Sequence, residues 1–369
     1  MKNIYLIFML VISFNSFSQG NDCGTKAKGS PLIFSEKDQN AINQLLAVNQ
    51  PYSIKVFVTV FADNNGSNRA ASDSDIQRQI QNMANQYQVH NICFMLMGIK
   101  QINNTDLNDQ NITSVPATDE SGEVVPFIVS GNLNVFVHNT LPGLNGIAYG
   151  IPNSYLSIWG GVLAESQTGN ISTLGHETGH CLGLYHTFEP WTDSNGNPTK
   201  KENVARSGAC KNCTTNGDVL CDTPADDDAG VNTSCNYVGG GMDACGITYT
   251  PMTSNMMGYG NRPCRNTFTS EQGTRMRSFL ISNSTLNSFL VNDIVYVPTS
   301  ANSSIYWSTG NQIYVARDFI GISQFANNIY DVSGSANQQI ISKKVSLKIG
   351  TRLHPNSGRV QITANPYCN

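Results

Sequence analysis

The stretch His176-Glu177-Thr178-Gly179-His180-Cys181-Leu182-Gly183-Leu184-Tyr185-His186 decides how this chain is read. It has the form H-E-x-x-H-x-x-G-x-x-H. On a helix, His176 and His180 stand four residues apart, so both rings leave one face about one turn from each other. Two imidazole nitrogens at that spacing can reach one zinc ion at roughly 2.0–2.1 Å. Glu177 sits one residue round, where its carboxylate can hold a water in the open fourth position without being a ligand. At Gly183 the helix has to stop, because a residue free to take φ > 0 lets the chain turn back. That turn brings up His186 as a third ligand, which a continuing helix would carry away. Three of the chain's six histidines fall here. Five fixed positions, each with its own mechanical reason, leave little room for histidines placed by chance on an ordinary amphipathic helix.

At 369 residues the chain suits two domains with short segments at either end. A hydrophobic content of 40% supports a packed core. Net charge is −4 without a basic cluster, which argues against a nucleic-acid partner. Low charge and heavy use of Asn, Ser, Thr and Gly fit an exported protein. Lys2 followed by the apolar run from Ile4 to Ile12 reads as a signal peptide, with a small-residue cleavage region at Ser16-Phe17-Ser18-Gln19. The run falls well short of the ~20 residues a membrane span needs. Ten cysteines in an exported chain imply disulfides. Cys210-x-x-Cys213 lacks a second pair of ligands at finger spacing, so it too reads as disulfide-forming.

Along the chain, Ser35-Glu36-Lys37-Asp38 resembles a helix start, with Ile42, Leu45 and Leu46 at helical spacing before Pro51. Residues 52–61 are β-branched and aromatic and predict a central strand. Residues 73–88 predict a helix with Ile76, Ile80, Met83, Ala84 and Tyr87 on one face. Further strands are expected at 91–97, 133–138 and 155–159, and a glycine-rich turn at 146–152. Ser172-Thr173 offers hydroxyls for the N-cap of the histidine helix. From Glu189 to Tyr249 periodicity disappears, so this segment must be held by cross-links, with a bound ion as a candidate addition. A last helix begins within 267–272 and carries Met276, Phe279 and Leu280. Beyond residue 292 short alternating runs (313–315, 345–349, 359–362) predict a small all-β module. The expected organisation is a signal peptide at 1–19 and a pro-segment at 20–50. A catalytic domain at 51–291 and a β-rich module at 292–369 follow. The catalytic domain is expected to be α/β (α+β), with a twisted sheet and its cleft along the metal helix. In this motif class a methionine-containing turn packs beneath the histidines, and Ser254-Asn255-Met256-Met257-Gly258-Tyr259 is the candidate.

Several motifs in order make residues 146–280 resemble the pappalysin (cytophagalysin) family of metzincin peptidases. They are His176 to His186 with Thr187-Phe188, Gly217-Asp218-Val219, Asp222-Thr223-Pro224-Ala225, Asn255-x-Met257-x-Tyr259, Cys264, and Phe268-Thr269-x-x-Gln272-x-x-Arg275-Met276. The resemblance implies a secreted zinc endopeptidase acting on extracellular proteins. His176, His180 and His186 would hold the metal, Glu177 would be the general base, and Met257 the turn methionine. Tyr259 would steady the oxyanion. It also implies latency, because related zymogens carry a cysteine near the signal whose thiolate blocks the zinc, and Cys23-Gly24-Thr25 stands at that place. Nine cysteines would then remain, an odd number, so at least one more stays unpaired or leaves with a cleaved segment. Cys93 and Cys181 are expected to bridge, and Cys264 to pair with Cys235 or Cys245. Family members bind calcium near the oxygen-rich loop of Asp218, Asp222 and Asp226-Asp227-Asp228.

The chain departs from the family at Pro263, where members with a basic primed-side preference carry an acidic residue. No such preference is therefore expected. The tail from Leu347 to Cys368 resembles β-stack modules of secreted bacterial proteins, such as the coat-hanger stack. A surface-binding protein that keeps the metal domain as a scaffold is the alternative, although a scaffold has no need of Glu177. Nothing in the sequence supports a hydrolase of non-peptide substrates.

Overall fold

The computed structural model describes residues 23–27, 29–35, 40, 42–44, 50–109, 123–141, 143–164, 172–191, 201–365 and 367. The expected signal peptide and Cys368 lie outside these residues, as does most of the expected first helix. Strand β1 (Tyr52–Ala62) lies inside a sheet because Ile54, Val56, Val58, Val60 and Phe61 are buried, with Phe57 half-buried. Helix α1 (Asp73–Gln88) follows, capped by Ser72, whose side chain accepts from the Asp75 amide. Its residues Ile76, Ile80, Met83, Ala84 and Tyr87 are buried as their spacing predicts. Each large apolar side chain so buried contributes roughly 1.5–3 kcal/mol. Strand β2 (Ile92–Asn103) is longer than the expected 91–97, since its outer half continues to pair with β1.

Strands β3 (Leu133–His138), β4 (Gly146–Ala148) and β5 (Tyr155–Trp159) complete a sheet of order β2-β1-β3-β5-β4. All its pairings are parallel except β4 with β5. The residues of β4 belong to the stretch expected to be a turn. Their pairing to β5 makes them an edge strand, which local glycine content does not foretell. Helix α2 (Thr173–Cys181) carries the first two histidines and is buried along its whole length. Tyr87 of α1 donates to the Gly175 carbonyl at 2.7 Å and so ties α2 to the rest of the core. Ser172 stands at the N-cap position of α2, but its hydroxyl donates to the Arg262 carbonyl rather than capping the helix. Helix α3 (Ser270–Ser282) opens with a capping box of Thr269 and Gln272.

Between Leu182 and Asn261 the described residues form no named helix or strand. Disulfides Cys210–Cys245, Cys213–Cys221 and Cys235–Cys264 cross-link this segment. The last is one of the two pairings expected for Cys264. The expected Cys93–Cys181 bridge is not formed. Cys93 is disulfide-bonded elsewhere, while Cys181 is a free, buried thiol on α2, so Cys23 and Cys181 are the free cysteines among the described residues.

The C-terminal strands are β6 (Ile294–Val297), β7 (Ser304–Trp307), β8 (Asn311–Val315), β9 (Phe319–Ile322), β10 (Ile329–Val332), β11 (Asn337–Ile341), β12 (Lys344–Leu347), β13 (Thr351–Leu353) and β14 (Arg359–Thr363). They build three parallel sheets, β6-β9-β12, β7-β10-β13 and β8-β11-β14. The chain therefore coils three times, giving each sheet one strand per coil. This is a short parallel β-solenoid with its own core, including Ile320, Tyr330, Val332 and Ile340. Ile341 packs against Cys93, Met95 and Met97 of β2, which seats the coil on the first sheet.

Candidate metal centre and cleft

Gly183 ends the histidine helix with φ +95°, and a Cβ there would lie 2.2 Å from Phe279 of α3. Glycine is required on both counts. The turn folds His186 back onto His176 and His180. The Nε2 of His180 lies 3.1 Å from the Nε2 of His176 and 3.1 Å from that of His186. Nδ1 of His176 donates to the Met256 carbonyl at 2.7 Å, and Nδ1 of His180 to the Leu184 carbonyl at 2.8 Å. Those bonds place the protons on Nδ1, so the Nε2 lone pairs face one another. Burial pushes His186 down to about 3, with Arg265 adding to it, and holds His176 and His180 well below the usual histidine range. Neutral imidazoles with converging lone pairs suit a divalent cation between them.

Cys23 completes the cluster. Its Sγ is 3.5 Å from His180 Nε2 and 3.5 Å from Glu177 Oε2. One ligand atom from each of Cys23, His176, His180 and His186 lies within 4.8 Å of the other three. A thiol and three imidazoles form a donor set characteristic of zinc. The Cys23 segment runs along the free edge of β4, bridging Gly146, with the Gly24 amide donating to the Gly146 carbonyl at 3.0 Å.

Glu177 is fully buried beside this cluster. Desolvation pushes its carboxyl up to about 7, opposed by hydrogen bonds from Cys23, Thr25 and the Ala148 amide. Thr25 Oγ1 donates to its Oε2 at 3.0 Å, and the Ala148 amide also lies 3.0 Å from that oxygen. A Cβ at Gly146 would lie 2.7 Å from Glu177 Cγ, so β4 must have glycine there to let the carboxylate in. Tyr259 lies across the cluster, its ring 4.9 Å from that of His186, and its hydroxyl donates to the Cys23 carbonyl at 3.1 Å. Burial raises its hydroxyl far above the usual tyrosine range, with Cys23 and Glu177 adding to the effect.

Met256 and Met257 are both buried. Met257 sulfur lies 2.6 Å from where a Gly179 Cβ would stand, against the helix turn that carries both histidines, while Met256 offers its carbonyl to His176. The Thr187 amide donates to the Met257 carbonyl at 3.2 Å, linking the third histidine to this bend. Pro263 stands in a short 3-10 turn, Arg262–Cys264.

The acidic loop divides. Asp218 is buried and pushed up to about 8, chiefly by desolvation. Asp222 is exposed and accepts from the Glu271 amide at 2.7 Å, at the start of α3. Glu202, which the sequence reading overlooked, is pushed up to about 9 by burial and then by Asp218. Asp218 Oδ2 and both Glu202 carboxylate oxygens accept no hydrogen bond among the described residues, although Arg206 forms an ion pair with Glu202 Oε1 at 2.9 Å. Thr25 and the Ala148 amide were likewise unforeseen. A threonine two residues after Cys23 was the only signal for the first, and a backbone group gives none.

Residues 154–281 match the model of the peptidase family described as Pregnancy-associated plasma protein-A. An extracellular metalloprotease of Colletotrichum graminicola is 27% identical over 251 residues, covering 62% of this chain and 77% of its own length. One from Pyricularia oryzae is 27% identical over 267 residues, covering 68% of this chain and 83% of its own length. Tannerella forsythia mature mirolysin in complex with a cleaved peptide is 22% identical, covering 65% of this chain and 96% of that one, with a TM-score of 0.46. The resemblance drawn from the sequence motifs is borne out over residues 154–281, and the chain is a zinc metalloendopeptidase.

Proposed function

We propose that this metalloendopeptidase is a secreted zymogen that hydrolyses peptide bonds of extracellular proteins, with His176, His180 and His186 holding the zinc. One observation carries the reading: three buried Nε2 lone pairs and the Cys23 thiol converge beside the carboxylate of Glu177. When bound, zinc supplies Lewis acidity toward a water and the scissile carbonyl. Glu177 takes the proton from that water and returns it to the leaving amine. Tyr259 donates its hydroxyl hydrogen to the developing oxyanion. An extended substrate pairs with the free edge of β4, which the segment from Cys23 to Thr25 now covers. The same segment accounts for latency, since it occupies the metal cluster, Glu177 and Tyr259 together. Met257 serves as the floor beneath the histidine helix. Export is supported by the apolar N-terminal run and the extracellular relatives, and no helix among the described residues is long and apolar enough to cross a membrane. The catalytic unit spans 51–291 after a pro-segment at 20–50, and the solenoid at 292–369 is an accessory module.

Digestion of a mixed peptide library by the activated chain, followed by mass spectrometry, tests this reading. Cleavage abolished by a zinc chelator is expected, without enrichment of Arg or Lys after the cut because Pro263 offers no carboxylate. A folded, zinc-loaded sample that cuts nothing would overturn it.

We further assign calcium to the buried pair of Asp218 and Glu202, with Asp222 serving the start of α3 instead. Asp218 Oδ2 and Glu202 Oε2, which accept no hydrogen bond from the described residues, support the assignment. Both folded carboxyls titrate above their unfolded values, so the calcium-free protein binds more protons folded than unfolded. The stability they contribute is complete below about pH 4 and lost as pH rises through about 8 to 9. Calcium should therefore raise the melting temperature at pH 8 and do so far less at pH 5. Calorimetry showing the same shift at both, or none, would sink the assignment.

A further inference from the structure

We propose that Glu189 is the carboxylate partner of His186 and sets the zinc affinity of the site, an inference that rests on the zinc reading above. Each histidine must carry its proton on Nδ1 if Nε2 is to face the cluster. For His176 and His180 that proton goes to the backbone carbonyls of Met256 and Leu184. Among the described residues no carbonyl serves His186. Its Nδ1 faces the carboxylate of Glu189, with Oε2 3.6 Å away.

The local chain puts the carboxylate there. The Glu189 amide donates to the His186 carbonyl at 3.0 Å, closing a turn that folds residue 189 back over residue 186. Within the turn, the Phe188 ring stacks on the His186 imidazole at 4.8 Å and 11°, which fixes the ring plane. Glu189 is 7% exposed, and its Oε2 accepts no hydrogen bond from the described residues. A buried carboxylate oxygen without a donor is costly unless something nearby supplies one. The Nδ1–H of His186 is the donor within reach, and a slight closing of the 3.6 Å gap makes the bond.

A carboxylate behind an imidazole does more than a carbonyl. It fixes the tautomer, makes Nε2 more basic and offsets part of the charge that the cation brings into a buried site. Of the three such contacts, this is the one made by a side chain, so it is the one that sequence can vary without moving the backbone.

The test is zinc affinity of the full-length chain, measured by competition with a chromophoric chelator for wild type, Glu189→Gln and Glu189→Ala. Removal of such a partner lowers metal affinity about 10- to 100-fold, and that loss is expected for Glu189→Gln, which keeps the shape and removes the charge. Melting temperatures of the zinc-free proteins separate a folding defect from a loss of affinity. Histidine ¹⁵N shifts of the zinc-loaded protein report the hydrogen bond at His186 Nδ1, which a merely structural residue would leave unchanged. Folded Glu189→Gln with wild-type affinity and an unchanged His186 signal would overturn the proposal. Failure of the wild type itself to take up zinc would instead overturn the zinc reading on which it rests.

Discussion

Glu177→Gln retains zinc and loses roughly two to four orders of magnitude in kcat, the range that a positioned general base supplies. The substitution is nearly isosteric, and the geometry says why it removes little else. Glutamine still offers one oxygen to the Ala148 amide and Thr25, which now sit 3.0 Å from Glu177 Oε2. Packing against Gly146 is preserved, since the contact is made by the Cγ that both residues share. The amide has no free lone pair on nitrogen, so it takes no proton from water. Among the described residues no hydrogen bond joins Glu177 to the three histidines, which take their orientation from the Met256 and Leu184 carbonyls and the turn at Gly183, so they keep their arrangement. Zinc content by atomic spectroscopy, together with turnover of an internally quenched peptide, checks both halves. A variant that keeps more than about a tenth of wild-type turnover would exclude Glu177 as the base.

The parts of this molecule that were legible from sequence are those whose reasons are local. The spacing of His176 and His180, the break at Gly183 and the stripe from Ile76 to Tyr87 each rest on helix geometry and were placed correctly. What escaped depends on partners remote in the chain. Gly146-Ile147-Ala148 carries the composition of a turn and becomes a strand only because β5 lies beside it. The Cys93–Cys181 expectation failed because pairing is a matter of distance, and strand and helix present these residues to different neighbours. The solenoid was readable as strands but not as coils, although a repeat was available. Val295, Ile320 and Val345 stand in register across three coils at a spacing of 25 residues. A search for that period would have given the parallel order. Glu189 looked like one more polar residue at the edge of an irregular segment. Its role depends on a turn that only the folded position of His186 reveals.

Cys23→Ala should turn a silent chain into an active one, though not fully. The thiol is the pro-segment's contact with the metal cluster, so its loss opens the site and raises cleavage by the uncut chain at least about tenfold, the weight of a typical buried polar contact to a charged group. The neighbours of Cys23 predict the shortfall. Thr25 still shares its one hydroxyl hydrogen between Glu177 Oε2 at 3.0 Å and the Ala148 carbonyl at 3.1 Å, and accepts from the Ala148 amide at 2.8 Å. Further out, Arg275 donates to the Leu32 carbonyl at 2.9 Å and the Leu32 amide donates to the Tyr185 hydroxyl at 2.9 Å. Phe34 packs on Phe279 with ring centroids 4.8 Å apart, which holds the segment well away from the metal. A hydrogen bond to a charged group is worth about 1.5–3 kcal/mol, so adding Thr25→Val to Cys23→Ala should gain roughly another tenfold or more. Initial rates on a quenched peptide, with mass spectrometry to confirm that the chain is still uncut, give both steps. If Cys23→Ala is as silent as wild type while zinc-loaded, latency does not run through the thiol. A Thr25→Val step without effect would confine the block to the metal, because the hydroxyl it removes bonds the base and the strand that substrate must use.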